Sequence, residues 1–483
     1  MRWFVPAAAL VAAVALTTTG CAGAGATTAA SLGGAASLVP ADAVAFVAVD
    51  TDASSGQWDA ADALLSKLPA HDALLAKLRE GLEAHAKVSW ADDIRPALGP
   101  EVDLVALVGP PPQIVLLTQP ADGGKLDALL AKLGGGLESR QVGGWTAVSK
   151  SSAALDALEH VAAPLADSAA YQDATSKLAG AALVRAYVNG ASAQRLLASL
   201  PGQVRATVPL VRGRFRGYRG SNFNVKAFVP ERFAWGAADV VAEGDGLRLQ
   251  AYTRAAPAAQ AAVSHARLVQ LRTRSYTSLL VDEIPADVLA VADFQAATTG
   301  FEEAAPSTLP RWLRTLRAKA PNVPSDLDTL LGGETAIYIR PGLPVPELTL
   351  VTQPADVEQA IGVLPEVLSE LKAAFPMLAQ LSLHHSVIGG QFVVSTSKQG
   401  IAAFSSAGPK LSADAAFQDA TKAADMPPQT TGFVYANLAR ALPLVALLAP
   451  GGGLGDLSAL QSLTAYGTRD GADSSYTAFL GVH

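Results

Sequence analysis

Cysteine is almost absent from this chain: one residue in 483, Cys21. A lone thiol cannot form an intrachain disulfide or supply a cysteine set for structural zinc. Aromatic residues make up only 6% of the chain and charged residues only 16%. Its cores must therefore be built mainly from Leu, Val and Ala. The net charge of −7 argues against general nucleic-acid binding. Long apolar runs are also missing. The best of them, Phe4 to Leu16, falls short of the roughly 20 residues that span a membrane comfortably. What is present in quantity is hydrophobic content, 50% of the residues, which fits a globular chain of two or three domains.

The N-terminus carries an address. Arg2 gives a small positive region, the apolar run follows, and Thr18-Thr19-Gly20-Cys21 closes it. A charged start, a short apolar stretch and small residues at a cut site form the pattern of a cleaved export signal. Gly20-Cys21 resembles the lipobox of bacterial lipoproteins, with Thr18 where that pattern prefers an aliphatic residue. The resemblance implies a signal peptide over 1–20 and a diacylated Cys21. Two acyl chains hold a protein stably at a membrane where one binds only marginally. The expectation is an exported protein, anchored to the cell membrane by its N-terminal lipid and facing outside the cytoplasm. Residues 21–37 are small, uncharged and aperiodic, and are expected to be a flexible tether.

The rest of the chain repeats itself. Val39-Pro40-Ala41-Asp42 recurs as Ile284-Pro285-Ala286-Asp287, and Leu98-Gly99-Pro100-Glu101 as Leu331-Gly332-Gly333-Glu334. Thr118-Gln119-Pro120-Ala121-Asp122 recurs as Thr352-Gln353-Pro354-Ala355-Asp356, and Val142-Gly143-Gly144 as Ile388-Gly389-Gly390. Tyr171-Gln172-Asp173-Ala174-Thr175 matches Phe417-Gln418-Asp419-Ala420-Thr421, and Tyr187 and Asn189 match Tyr435 and Asn437. The offsets are 245, 233, 234, 246, 246 and 248, in the same order along the chain. Chance matches would not keep order and spacing so well.

Each half can be read in the same sequence of elements. The first strand is Ala45–Val49, matched by Val288–Phe294. Leu64, Leu65, Leu68, Leu74, Leu75, Leu78 and Leu82 mark helical spacing that Pro69 splits in two. Strands 102–108 and 113–117 flank a Gly-Pro-Pro-Pro turn. Pro120-Ala121-Asp122 opens a helix carrying Leu126, Leu129, Leu130 and Leu133; its counterpart carries Ile361, Leu364, Val367, Leu368 and Leu371. Strands 145–149 and 183–188 and a closing hairpin (237–243 with 247–252, or 463–468 with 476–481) complete the order. Most connections are too short for parallel crossovers, so the sheets should be mostly antiparallel. The expected fold class is α+β, in two similar halves, each a curved antiparallel sheet with helices packed on one face. The halves are placed at 38–255, with a basic insertion at 205–232, and at 276–483, joined by a linker over 256–275.

The combination of (Leu/Ile/Val)-Pro-Ala-Asp before a strand, a Leu-Gly-x-Glu turn, a strand into Gln-Pro-Ala-Asp, Gly-Gly and a closing hairpin resembles a bacterial domain of unknown function, family 3352. The resemblance covers most of residues 38–483. It implies exported or envelope-anchored proteins with no established activity, so it carries over no catalytic residue.

Candidate sites are few. His384-His385 is the one adjacent His pair, but strand neighbours point to opposite faces and cannot readily chelate one metal. Ser395-Thr396-Ser397-Lys398 has the Ser-x-x-Lys spacing of penicillin-binding proteins without their companion motifs, and is read as the end of a strand. Asp50-Thr51-Asp52-Ala53-Ser54 crowds oxygen ligands like the start of a calcium loop but lacks its Gly and closing Glu. Gly451-Gly452-Gly453-Leu454-Gly455 lacks the Lys-Ser/Thr of a phosphate loop. The least ordinary stretch is 205–232, with Arg212, Arg214, Arg216 and Arg219 among seven positive charges and four interleaved aromatic residues. For an anchored protein it suits an anionic lipid headgroup or cell-wall polymer better than nucleic acid. No cofactor, metal or catalytic set is expected. The functional expectation is a non-catalytic, membrane-anchored envelope lipoprotein that binds or scaffolds something through a cleft between its halves. The alternatives are a carrier of a lipid or other apolar ligand and a hydrolase with a dispersed site. If Cys21 carries the anchor, Cys21→Ser moves the protein from the membrane fraction to the soluble fraction of its host; retention at the membrane would refute lipidation.

Overall fold

The computed structural model describes residues 32–69, 88–109, 112–199, 233–256, 275–295, 329–342, 345–374, 382–448 and 457–483, with the single positions 76 and 326. Two compact units divide the chain, Met1–Ala259 and Gln260–His483.

In the first unit the strands are β1 (Ala45–Asp50), β2 (Glu101–Leu107), β3 (Gln113–Thr118), β4 (Glu138–Val142), β5 (Trp145–Ser149), β6 (Val184–Asn189), β7 (Phe233–Glu243) and β8 (Gly246–Ala255). They lie side by side in the order β8-β7-β6-β1-β2-β3-β5-β4. Every pairing within this order is antiparallel. The helices between them are α1 (Gly56–Leu65), α2 (Gly123–Leu133), α3 (Ser152–Glu159), α4 (Ala169–Thr175) and α5 (Gly190–Ser199). Helix α1 ends before Pro69, and the apolar positions from Leu74 to Leu82 lie outside the described residues.

The second unit has β9 (Ala290–Gln295), β10 (Glu334–Arg340), β11 (Glu347–Thr352), β12 (His384–Ile388), β13 (Gln391–Ser395), β14 (Gly432–Asn437), β15 (Leu460–Asp470) and β16 (Asp473–Val482). Their order is β16-β15-β14-β9-β10-β11-β13-β12, the same succession as in the first unit. Its helices are α6 (Val357–Ala374), α7 (Lys398–Ser405), α8 (Ala415–Ala423) and α9 (Leu438–Leu448).

Local chemistry sets the element ends. Ser55, Asp122, Ser151 and Ser397 each accept a hydrogen bond from the backbone N–H three residues on, which caps α1, α2, α3 and α7. Asn189 and Asn437 do the same at the starts of α5 and α9. The Gly-Gly pairs are two-residue hairpin turns. Gly143 and Gly144 have φ of 54° and 86°, Gly389 and Gly390 have 60° and 83°, and Val142 faces Trp145 as Ile388 faces Gln391. Two successive positive φ angles are what a twisted hairpin demands and what glycine supplies without strain.

Two expectations need correction. Helices do not keep to one face. On β3, Val115 and Leu117 pack with Leu155 and Leu158 of α3, whereas Leu116 between them packs with Leu126 and Leu129 of α2. In the second unit, Val393 packs with Phe404 of α7, and its neighbour Phe392 with Leu364 and Val367 of α6. Alternate residues of a strand point to opposite faces, so each sheet carries helices on both, the second face only in part. The stretch 21–37 is also not tether throughout. Gly34–Leu38 form a 3-10 helix, and Leu32, Ala35 and Ala36 join the main core of the first unit.

The helix α4 ring of Tyr171 meets Tyr187 of β6 edge-on at 5.1 Å and 81°, and Phe417 of α8 meets Tyr435 of β14 at 5.1 Å and 82°. Such contacts add about 0.5–1.5 kcal/mol beyond their burial. Close backbone approach is specified as tightly. A Cβ on Gly99 would lie 2.0 Å from the Gln119 carbonyl oxygen, and one on Gly333 1.8 Å from that of Gln353. Gly99→Ala should therefore cost about 1–3 kcal/mol in urea denaturation. Gly123→Ala, where the added atom meets nothing within 4 Å, should be neutral or slightly stabilising. Equal effects of the two would refute the close-approach role of Gly99.

Candidate functional site

The sequence-predicted residues fall into two groups. Cys21, Arg212, Arg214, Arg216, Arg219 and the Gly451–Gly455 loop lie outside the described residues. The others are placed. His384 and His385 sit on β12, the outermost strand of its sheet, facing Ser395 and Val394 respectively. The His385 ring lies 6.0 Å from that of Phe392. Among the described residues, no three His, Cys, Asp or Glu side chains are grouped to hold a metal ion.

Ser395 ends β13, fully buried, with its Oγ 2.9 Å from Thr349 Oγ1. Helix α7 covers it so closely that a Cβ on Gly400 would stand 2.1 Å from that oxygen. Lys398 begins α7 and is exposed. Ser397 is the helix cap, its Oγ accepting from Gly400 N at 2.8 Å. The Ser-x-x-Lys spacing is thus a strand end followed by a helix start, with no room for a substrate at Ser395.

The Asp50–Ser54 turn is equally internal. Asp50 accepts from Ser55 Oγ at 2.5 Å and from Asp52 N at 2.9 Å, and Asp52 accepts from Ser54 N at 2.9 Å. Burial pushes Asp50 up to about 6. The turn serves as the entrance to α1.

A feature that sequence reading missed is a carboxyl pair in each unit, both members buried in the second and a buried aspartate beside a half-buried glutamate in the first. In the first, Glu101 and Asp103 stand on the same face of β2. Glu101 Oε1 accepts from Gly33 N at 2.7 Å and Gly34 N at 3.0 Å, and Asp103 Oδ2 accepts from Ala35 N at 3.3 Å. Together they hold the start of the 3-10 helix Gly34–Leu38. In the second, Glu334 Oε1 accepts from Leu279 N and Leu280 N, both at 2.9 Å, and lies 2.7 Å from Ser278 Oγ. The second carboxyl there is Asp293 of β9, which accepts from Tyr276 Oη and lies 3.1 Å from Ser278 Oγ. Asp103 faces Ala48 across β1–β2, whereas Asp293 faces Ala336 across β9–β10. The acid and the alanine have exchanged strands. The glutamates belong to the Leu-Gly-x-Glu motif. Their partners were legible only once the register was known.

Burial, then the neighbouring Glu101 charge, pushes Asp103 up to about 9. Burial likewise pushes Asp293 up to about 7, with the Glu334 charge adding to it. Asp103 Oδ1 meets no donor among the described residues. A proton on Asp103 would turn this oxygen into a donor, with the Glu101 carboxylate as its neighbour.

A second surface of interest is the sheet face opposite the main cores. In the second unit a row runs across the strands through Val394, Leu350, Ile337, Ala292, Val434, Ala465 and Ala478. In the first unit the row is Val148, Leu116, Leu104, Val47, Ala186, Ala238 and Ala251. Helices α6 and α2 cover the Val394 and Val148 ends. Further along, Val434 is 43% exposed, as is Leu348 beside the row, and Ile339 is 37% exposed.

No known family model matches the chain, and no curated protein is similar to it.

The Asp103 shift has a consequence for stability. Its folded value lies above its ordinary 3.8, so the folded state holds a proton that the unfolded state releases. That contribution is fully present in acid and declines as pH rises from about 4 towards about 9. Asp103→Asn keeps a neutral donor beside Glu101 with no proton to lose. The variant's melting temperature should fall less than the wild type's between about pH 5 and about pH 9; an unchanged slope would show that Asp103 does not titrate in this way.

Proposed function

We propose that this chain is an exported, lipid-anchored binding protein of the cell envelope, non-catalytic, built by internal duplication, and that its ligand is apolar. The address rests on the Arg2-to-Cys21 pattern, and the resemblance to the envelope family of unknown function points the same way. The ordered sequence repeats and the common strand succession support the duplication.

The observation that carries the ligand class is the apolar row on the second sheet face, with its half-exposed and exposed Leu, Ile, Val and Ala side chains. From Leu350 to Ala478 the row crosses six neighbouring strands, about 24 Å at the usual strand spacing. One leaflet of a bilayer is about 15 Å of hydrocarbon, so an extended acyl chain fits along it. A protein held at a membrane by its own lipid has such chains at hand. The buried Ser395 and the cap Ser397 favour this reading over a serine hydrolase.

Native mass spectrometry of the protein purified from its host's envelope, with organic extraction, should find a stoichiometric apolar adduct. Ile337→Asp with Val434→Asp, placed on the half-exposed face rather than in a core, should lower its occupancy several-fold at unchanged fold by circular dichroism. A clean apo mass for the wild type would overturn the apolar ligand and turn attention to anionic polymers and the 205–232 stretch.

A further inference from the structure

The second sheet face is already part of the functional reading, and the Asp50 turn is internally satisfied. The carboxyl pairs remain unexplained by any of this. Burying two carboxyls side by side is costly unless they share a proton or meet many donors. One unit doing so is an accident of packing. Here both units place an aspartate that is fully buried beside a glutamate at the same register, with the aspartate carried by opposite strands. The position therefore requires one carboxyl beside the glutamate, from either strand.

We propose that each pair is a proton-dependent latch, which holds the segment entering the unit's first strand against the sheet while one proton is shared, and that in the second unit the latch loosens as pH rises towards neutrality. The segment held is Gly33–Ala35 in the first unit and Tyr276–Leu280 in the second. Each segment leads into the Pro-Ala-Asp turn, and each is tied a second time, by the bridge Pro40 to Pro164 or Pro285 to Lys410.

The groups facing each aspartate set the sign. Around Asp293 stand Glu334 of β10 and Tyr276 of the held segment, neither of them cationic. Around Asp103 stand Glu101 of β2 and Tyr171 of α4, with Asp50 opposite Glu101 and the Arg185 guanidinium of β6 farther along the same row, past Ala48. In the second unit, loss of the shared proton therefore leaves two anions together in a dry site, with only hydroxyl and backbone donors to balance them. The segment can relieve this by lifting off and admitting water. Opening of either latch gains from about pH 4 upward, levelling off near pH 7 at Asp293 and only near pH 9 at Asp103.

Amide hydrogen exchange of the full mature chain tests this. The readout is the opening constant at Leu279 and Leu280, corrected for the intrinsic pH dependence of exchange. It should rise about tenfold per pH unit from about pH 4 and level off near pH 7. Asp293→Asn should abolish the rise. Asp293→Ala with Ala336→Asp, which moves the carboxyl to the strand used in the first unit, should restore it. If Asp293→Asn does not fold, Asp103→Asn read at Gly33 to Ala35 gives the same test over the range from about pH 4 to about pH 9. A wild-type opening constant that ignores pH, or a rise that persists in the Asn variant, would overturn the latch.

Discussion

The two-residue period of the strands governs everything else in these units. Nearly every central strand is apolar on both sides, so burial on one face alone would leave half of its side chains in water. On β5, all of Trp145–Ser149 are buried. A sheet of this kind profits from cover on both faces, and α3 and α7 supply one side while α2 and α6 cover one end of the other. At roughly 25 cal/mol per Å² of apolar area, this double cover is the largest favourable contribution available to a chain with so few aromatic residues.

Much of the architecture was legible in the sequence because it follows from this alternation and from punctuation by Gly, Pro and Asp. Strands β1, β2, β3, β5 and β6 and the closing hairpins lie where their Val-rich runs put them. Strand β4 was not legible. Its Glu-Ser-Arg-Gln-Val has no apolar side, because an outermost strand pairs on one edge only and profits from polar side chains that discourage further pairing. The placement of helices on both faces was hidden for a related reason. Periodicity reports that a helix has an apolar side, not which side of a sheet it meets.

The buried polar groups illustrate a different limit. Glu101 and Glu334 were visible as parts of a repeated turn motif, but their task, holding backbone N–H groups some 50 to 70 residues away, exists only in three dimensions. The same task can also be done by unlike residues. In the first unit Arg185 of β6, opposite Asp239, donates to Leu32 O and Ala179 O. In the second, Phe433 stands opposite Tyr466, whose hydroxyl donates to Ala424 O and Asp425 O. A guanidinium and a phenol fix corresponding loops, and no alignment of residue types would pair them.

Leu32, the first described residue, already joins a core, and this fixes a length. With the anchor at Cys21 as proposed, ten residues separate the lipid from the body, and at full stretch they reach no more than about 36 Å. The body is then kept on a short leash. Leu32 then stays within that radius of the bilayer surface, and the body reaches farther out only by its own span.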